Sequence, residues 1–174
     1  MKWTLILLLW GGTLWADPEV VPAEQIARKW KRTKSINGPT VKIRKGLALE
    51  VGTQSVEVDA DTALSFQNIQ FQRDSAELLD GVTAAQIGEI ARAMKQAGSE
   101  RFLIEGHTCD LGSDAHNLGL SQQRALAVKR ALEWHGVEPG RLQVLGFGES
   151  DPVTANTDET ARAKNRRVQI YRKL

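Results

Sequence analysis

A polar segment in the second half of the chain, GHTCDLGSDAHN (106–117), concentrates the side chains that could do chemistry. Cys109 is the single cysteine, and His107 and His116 lie on either side of it. A cysteine with a neighbouring histidine can act as a nucleophile with a general base. His107, Cys109 and Asp110 also have ligand chemistry for a metal. However, the sequence shows no oxyanion hole for a nucleophile and no distant ligands to complete a metal site. A third interpretation is therefore a capped turn with an inert thiol.

Strands and helices alternate on both sides of this segment. FQNIQF (66–71), RFLIEG (101–106), LQVLGFG (142–148) and RRVQIYR (166–172) have the apolar spacing of strands, with a polar loop over 149–164. Helical patterns fill the two gaps before the third strand. The order β-α-β-α-β-β predicts an α/β (α+β) fold, a two-layer sandwich with helices packed on a mixed sheet.

The ends of the two helices also have sequence signals. Thr83 and Gln86 fit a capping box, and Gly98 follows the last apolar position of the first helix. Ser121 is predicted to cap the second helix, and Gly136 to end it. These bounds place the polar segment in the loop that enters the second helix, where binding residues commonly lie.

Residues 17–65 differ in composition from the rest of the chain. Eight Lys or Arg residues and no acid occur from Arg28 to Lys45. The backbone is expected to be partly extended, with one or two strands around Gly46 and a further short alternating piece, SVEVDAD (55–61). A solvated linker with an edge hairpin is one interpretation, and contact with anionic lipid or wall polymer is the other.

The first sixteen residues, MKWTLILLLWGGTLWA, resemble a secretory signal peptide, so we expect an exported mature chain that starts at Asp17. The apolar run is shorter than the roughly 20 residues that a spanning helix needs. A net charge of +2 over 174 residues argues against a dedicated nucleic-acid binder. One cysteine excludes an intrachain disulfide, and Cys109 lies too far downstream to be a lipidated first mature residue.

Five ordered motifs resemble the OmpA-like peptidoglycan-binding domain. They are FQNIQFQRDSAEL (66–78), EGHT (105–108) followed by Gly112, the helix entry N-x-x-L-S-x-x-R-A (117–125), GFGESDPV (146–153) and NRRV (165–168). The resemblance covers roughly residues 66–174 and is specific because the motifs occur together. It divides the chain into a signal peptide (1–16), a basic N-terminal segment (17–65) and the OmpA-like domain (66–174).

The resemblance implies a non-catalytic module, without cofactor, that grips the peptide stem of peptidoglycan, typically its diaminopimelate residue. Such a ligand carries carboxylates and an ammonium, so the site needs a rigid donor fork and an acceptor anion. Arg124 is the expected fork, with further donors from Asn117 and the backbone near Leu120. The residues implied at the site are Asp74, Thr108, Cys109, Asp110, Asn117, Leu120, Arg124, Arg166 and Arg167.

One position departs from the family pattern. Most family members have Asp directly after GHT, where this chain has Cys109, and an acid follows one position later as Asp110. We hypothesise that Asp110 accepts the ammonium, which requires a twisted loop because adjacent residues of an extended segment face opposite ways. The alternative is a different stem peptide, or lost binding with the fold retained.

The expected function is therefore non-catalytic binding of peptidoglycan in the bacterial envelope, at the wall or outer membrane. The expected partner is peptidoglycan, with other envelope proteins as a second class of partner. The alternative function is a protein scaffold in the envelope, with residues 17–65 as its contact surface and weak or absent wall binding.

Overall fold

The structure is a computed structural model that describes residues 20–31, 41–48, 52–79 and 81–174. Its helices are α1 (Ala23–Lys31), α2 (Val82–Gln96), α3 (Asp114–Trp134) and α4 (Glu159–Asn165). Its strands are β1 (Val41–Ala48), β2 (Gly52–Phe66), β3 (Phe102–Gly106), β4 (Leu142–Gly146) and β5 (Val168–Lys173). The predicted signal peptide, residues 1–16, lies outside the described residues and stays a prediction.

The five strands form one mixed sheet in the order β1-β2-β5-β3-β4. β3 and β4 are parallel, and the β1–β2, β2–β5 and β3–β5 pairs are antiparallel. A short antiparallel contact of β1 with β4, where Leu47 pairs with Gly146, closes the sheet on itself. The predicted α/β fold with helices on a mixed sheet is confirmed, and closure of the sheet was not predicted.

Two apolar clusters lie on the two sides of β3, because successive strand residues point to opposite faces. Phe102 and Ile104 pack in the larger cluster with α1, α2 and α3. Leu103 faces the inside of the closed sheet, in a smaller cluster with Leu145 and Tyr171 among others. Both faces of β3 are therefore buried, and so is Glu105, which follows Leu103 on the inner side.

The N-terminal segment contributes a helix that the sequence analysis did not predict. Ala23, Ile26, Ala27 and Trp30 are buried at the i, i+3, i+4, i+7 spacing of one helix face. The ring of Trp30 lies 4.5 Å from that of Phe102, so α1 belongs to the main core. Residues 23–31 are therefore helical, while β1 and β2 confirm the expectation of a partly extended backbone for the segment.

β1 and β2 confirm the strands expected around Gly46, and β1 runs through Gly46 without interruption. β2 contains SVEVDAD and pairs with β5. The predicted boundary between residues 65 and 66 falls inside β2, and the division of the chain into domains stays a prediction.

The first predicted strand is displaced. Only Phe66 of FQNIQF (66–71) belongs to a strand, as the last residue of β2, and the rest contributes an isolated bridge from Phe71 to Leu78. Phe66 and Ile69 are buried all the same, so their apolar spacing reflects a loop packed on the core. The later strands are confirmed as β3, β4 and β5, while the polar loop over 149–164 contains α4.

Both predicted helix caps are wrong. The residue before α2 is Gly81, and the Thr83 hydroxyl is used instead by the preceding loop, accepting from Gln70 N–H and donating to the Asn68 carbonyl. α3 begins seven residues before Ser121 and is capped by Ser113, whose side chain accepts from the backbone N–H of His116. Gly98 and Gly136 do follow the ends of α2 and α3, both with positive φ.

Candidate functional site

The position of α3 depends on two glycines at the ends of neighbouring strands. A Cβ on Gly106 would overlap the carbonyl oxygen of Ser121, and a Cβ on Gly146 would lie 2.8 Å from the Cβ of Gln122. Ser121 is buried there, and its hydroxyl accepts from the backbone N–H of Gly148. The backbone of α3 therefore contacts the ends of β3 and β4. This contact fixes the position of Arg124, one turn later on α3, relative to the sheet.

Arg124 joins α3 to a small hairpin formed by residues 70–79. The hairpin is held by backbone hydrogen bonds from Gln72 to Glu77 and from Leu79 to Gln70. Nε of Arg124 donates to the carbonyl of Ser75 at 2.9 Å, and its guanidinium lies over the ring of Phe71, 5.0 Å from the centroid. The guanidinium is thus oriented by one hydrogen bond and one cation–π contact.

A cavity of about 310 Å³ opens beside this guanidinium. The end of β3 and the start of β5 form one side of it, because Gly106 pairs with Val168 in the antiparallel register. The lining residues are Gln67, Ile69, Gln70, Phe71, His107, Arg124, Ala163, Arg166 and Arg167. The cavity, named here the arginine cavity, brings together Arg124, Arg166 and Arg167 from the predicted site.

The charge of Arg124 is poorly compensated. Its exposed fraction is 8%, and among the described residues neither an ion pair nor a hydrogen bond reaches its two Nη groups. Burial and then the charge of Arg166 lower its pKa, against the smaller opposing effect of Asp74. A buried cation that lines a cavity without a counterion has the chemistry to bind an anion.

The two other arginines of the cavity are anchored by groups outside its lining. Arg166 donates to Glu159 and lies 3.7 Å from Sγ of Cys109. Burial lowers the pKa of Arg166, but hydrogen bonds to Glu159 and Cys109 outweigh it and leave the pKa raised. Arg167 donates to the carbonyl of Asp151 at 3.0 Å, and burial lowers its pKa. Both side chains are therefore held in place before any ligand arrives.

His107 and Thr108 are buried next to the cavity with unpaired polar atoms. Among the described residues, Nδ1 of His107 and the hydroxyl of Thr108 lack a hydrogen-bond partner. Nε2 of His107 lies 3.4 Å from Glu105, and the imidazole stacks on Phe147. Burial is the largest cause that lowers the pKa of His107, so the neutral form is favoured at the cavity.

Three predicted site residues have other partners, and a fourth lies in the middle of a helix. Asp110 is bound by Arg162 at 2.8 Å, and Asp74 by His116 at 2.7 Å. The amide of Asn117 donates to the carbonyl of Cys109 and to Glu149, so this residue shapes the loop. Leu120 is the seventh residue of α3, beyond the first turn whose N–H groups are free, so the expected backbone donors near it are wrong.

The surroundings of Cys109 bear on the nucleophile and metal interpretations. Its side chain is 5% exposed, and its polar neighbour is Arg166. His116, one of the two candidate bases, is hydrogen-bonded to Asp74, and the other, His107, faces Glu105. Within the described ranges, no group of three His, Cys, Asp or Glu residues could hold a metal ion.

The residues that orient Arg124 were not predicted from the sequence. Ser75 and Phe71 were recognised only as parts of a motif, and no local signal connects them to a side chain 49 residues away. Spacing within an element predicts faces, whereas this contact is made between a loop and a distant helix.

Comparison with known proteins places this site in a family. The family model described as OmpA family matches residues 70–166, more than half of the chain, and this range includes the hairpin, α3 and Arg166. The chain belongs to the OmpA family.

Curated relatives of this OmpA-family chain are envelope proteins by name. It is 41% identical over 103 residues to outer membrane porin F of Pseudomonas aeruginosa, a match that covers 59% of this chain and 29% of that protein. It is 31% identical over 134 residues to the peptidoglycan-associated lipoprotein of Pseudomonas putida, covering 76% and 80%. The chain spans a third or less of the two porins F that it matches, and 55% of outer membrane protein A of Bordetella avium.

Solved structures share the fold of this OmpA-family chain. The peptidoglycan-associated lipoprotein of Burkholderia pseudomallei aligns with a TM-score of 0.54 at 30% identity, covering 64% of this chain and 89% of that one. The periplasmic domain of MotB from Helicobacter pylori aligns with a TM-score of 0.57 at 20% identity, covering 77% and 87%. In the part of the chain that is described, none of the helices has the length and apolar character to cross a bilayer.

Proposed function

We propose that this OmpA-family chain binds the peptide stem of peptidoglycan without catalysing a reaction, in the bacterial envelope at the wall or outer membrane. The observation that carries the proposal is Arg124, a buried and oriented guanidinium that lines a cavity and whose two Nη groups have neither a hydrogen bond nor an ion pair among the described residues. A stem peptide offers carboxylates, which arginine binds through two parallel hydrogen bonds.

The arrangement suits retention on a polymer. A carboxylate, such as that of diaminopimelate, reaches Arg124, while Arg166 and Arg167 contribute positive charge at the wall of the cavity. Hydrogen bonds to charged groups contribute about 1.5–3 kcal/mol each before the entropic cost of association. A single stem peptide should therefore bind modestly, and the repeated stems of the wall should give retention through rapid rebinding.

The name of one relative, a peptidoglycan-associated lipoprotein, supports the same ligand class. The names of other relatives, outer membrane porin F and outer membrane protein A, support a location in the envelope. Export through the predicted signal peptide agrees with that location.

A protein scaffold in the envelope is the second candidate function. Trp134 is 83% exposed and borders a shallow apolar depression formed with Leu79 and Ile87, among others. Large exposed aromatic side chains beside apolar surface are typical of protein contacts. Under this alternative, wall binding is weak because Cys109 stands where the family pattern has an aspartate.

The experiment is a pull-down of the purified protein with sacculi of the diaminopimelate type. We expect retention of the wild type and loss of retention in Arg124→Ala and in Arg124→Lys, because lysine cannot reproduce the two-point contact. Arg92→Ala is the matched control, since it removes one positive charge from the exposed side of α2. Circular dichroism establishes that each variant is folded.

Two results would overturn the proposal. Retention of folded Arg124→Ala at the wild-type level would remove the arginine cavity from wall binding. Failure of the wild type itself to bind sacculi would favour the scaffold, and loss of partner binding in a Trp134→Ala variant would then support it.

A further inference from the structure

Two acids lie beside the arginine cavity without lining it. Oε2 of Glu105 is 3.4 Å from Nε2 of His107, and Oδ2 of Asp151 is 3.9 Å from Nη2 of Arg167. His107 and Arg167 line the cavity, whereas neither acid belongs to its described lining. A carboxylate of the protein that paired fully with Arg167 would cancel positive charge that an anionic ligand needs.

Arg44 of β1 binds both acids at shorter distances. Its guanidinium makes two hydrogen bonds of 2.7 Å to Glu105, and its Nη2 lies 2.6 Å from Asp151. Each acid is therefore closer to Arg44 than to the neighbouring residue of the cavity. Arg44 and Arg167 together balance the two acids, whereas without Arg44 both negative charges would act on Arg167 and on the cavity.

Arg44 also holds the residue that orients Arg167. Nη2 of Arg167 donates to the carbonyl of Asp151 at 3.0 Å, so Asp151 receives Arg44 on its carboxylate and Arg167 on its carbonyl. The guanidinium of Arg44 lies 4.4 Å from the ring centroid of Phe147, and the imidazole of His107 stacks on the same ring. These contacts connect Arg44 to two residues of the cavity lining.

We infer that Arg44 is a positioning residue for ligand binding at the arginine cavity: it holds Glu105 and Asp151 so that their negative charge does not cancel the positive charge of the cavity. The inference rests on the proposed function and extends its site to the N-terminal segment, outside residues 70–166 that the family model matches. Arg44 does not belong to the described lining of the cavity, so it acts through Arg167 and His107.

The charge of His107 reports on this arrangement. The charged groups near its ring are Glu105 on β3, Arg44 on β1, Asp151 after β4, and Arg124, Arg166 and Arg167 at the cavity. Burial is the largest cause that lowers the pKa of His107, and Glu105 opposes it. Removing Arg44 leaves Glu105 without its paired cation, so the pKa of His107 should rise. NMR of the imidazole measures this rise, which a loss of stability elsewhere in the fold would not produce.

The test measures binding of one probe, the tripeptide L-Ala-D-Glu-meso-diaminopimelate, by NMR chemical-shift titration at pH 7.5 and 5.5. The proteins are the wild type, Arg44→Lys, Arg44→Met, the double variant Arg44→Met/Glu105→Gln and the control Arg141→Met. Arg141 donates to the carbonyls of Glu100 and Met94. Glu100 precedes the start of β3, whereas the cavity lies at the end of that strand. Thermal unfolding establishes that each variant is folded.

At pH 7.5, Arg44→Met should bind the tripeptide about tenfold more weakly than the wild type, as expected for one uncompensated charge beside a partly buried site. Arg44→Lys keeps the charge but not the two-point contact, so it should lose about threefold. At pH 5.5 the difference should narrow, because His107 then takes up a proton next to Glu105. The double variant should recover part of the affinity, and Arg141→Met should bind as the wild type does.

Wild-type affinity in folded Arg44→Lys and Arg44→Met would overturn this inference, and so would an equal loss in Arg141→Met. If Arg44→Met does not fold, Arg44→Lys decides alone, since wild-type affinity in that variant also overturns the inference. Arg124→Ala separates the two claims, because its loss of the tripeptide upholds the proposed function whatever the Arg44 variants do. Absence of wild-type binding to both the tripeptide and sacculi would overturn the proposed function as well.

Discussion

Arg44 on β1 and Glu105 on β3 form a two-point ion pair inside the closed sheet. Nε and Nη2 of Arg44 lie 2.7 Å from Oε1 and Oε2 of Glu105, and the same Nη2 lies 2.6 Å from Asp151. Burial alone would lower the pKa of Arg44, but hydrogen bonds and charge from Glu105 outweigh it and raise the pKa. The pair connects the N-terminal hairpin to the strand that leads into the site.

Breaking this pair should be costly. Glu105 is fully buried, so Arg44→Met leaves its carboxylate without the paired cation, whereas Glu105→Gln leaves Arg44 paired with Asp151 alone. We expect Arg44→Met to lower the free energy of unfolding by about 3–5 kcal/mol, and Glu105→Gln to lower it by less, because Asp151 still faces Arg44. The double variant should lose less than the sum, because no isolated charge remains.

Urea denaturation of the wild type, the two single variants and the double variant measures this coupling. Arg92 forms an exposed ion pair, so the control Arg92→Ala should lower the free energy of unfolding by at most about 1 kcal/mol. Additive losses in the double variant would show that Arg44 and Glu105 do not stabilise one another.

The stability should depend on pH through His107. Burial is the largest cause that lowers its pKa in the folded protein. Below a pH of about 6.5, the ordinary histidine pKa, the unfolded chain therefore binds a proton that the folded protein does not. The free energy of unfolding should fall between pH 7.5 and 5.5, with a slope of at most about 1.4 kcal/mol per pH unit from this group.

Denaturation at pH 7.5 and 5.5 is compared for the wild type, His107→Gln and the control His135→Gln. The difference between the two pH values should shrink in His107→Gln and persist in His135→Gln. Burial raises the pKa of Asp151, but the hydrogen bond and charge of Arg44 outweigh burial and lower it. Its contribution to stability is therefore lost only at a pH below this range, and it does not affect the comparison between pH 7.5 and 5.5. An unchanged pH difference in His107→Gln would contradict the assignment.

Gly106→Ala should move α3. The new methyl group would overlap the carbonyl of Ser121, which is backbone and has no room to rotate away. We expect a loss of about 1–3 kcal/mol in the free energy of unfolding, or more if the helix cannot shift. Weaker retention on sacculi should accompany it, since α3 carries Arg124.

Gly119→Ala is the matched control on the same helix, because its Cβ would meet no atom within 4 Å. Helix propensity predicts a gain of up to about 1 kcal/mol there. Equal stability of the two alanine variants would argue against close contact between α3 and the end of β3.

Asp110→Asn should leave wall binding nearly unchanged. The carboxylate is exposed and bound to Arg162, and it does not belong to the lining of the arginine cavity. Exposed ion pairs contribute little, so stability should also change by less than about 1 kcal/mol. A sacculus pull-down beside Arg124→Ala checks this, and a loss as large as that of Arg124→Ala would restore Asp110 as the ammonium acceptor.

Local pattern predicted most of the elements around the site. β3, β4 and β5 follow from short apolar runs, and the ends of α2 and α3 follow from Gly98 and Gly136, because these signals act within a few residues. The helical spacing of Ala23, Ile26, Ala27 and Trp30 was equally local, but it runs into the strongly basic stretch that starts at Arg28.

The sequence by itself determined the family and Arg124 as the principal candidate, since the ordered motifs are specific as a set. Only the tertiary structure decided that Ser121 packs on Gly106 instead of capping a helix, that Asp110 pairs with Arg162, and that Arg124 is oriented by Ser75. These outcomes depend on which distant backbone and charges come within a few ångströms of a side chain, and neither spacing nor propensity contains that information.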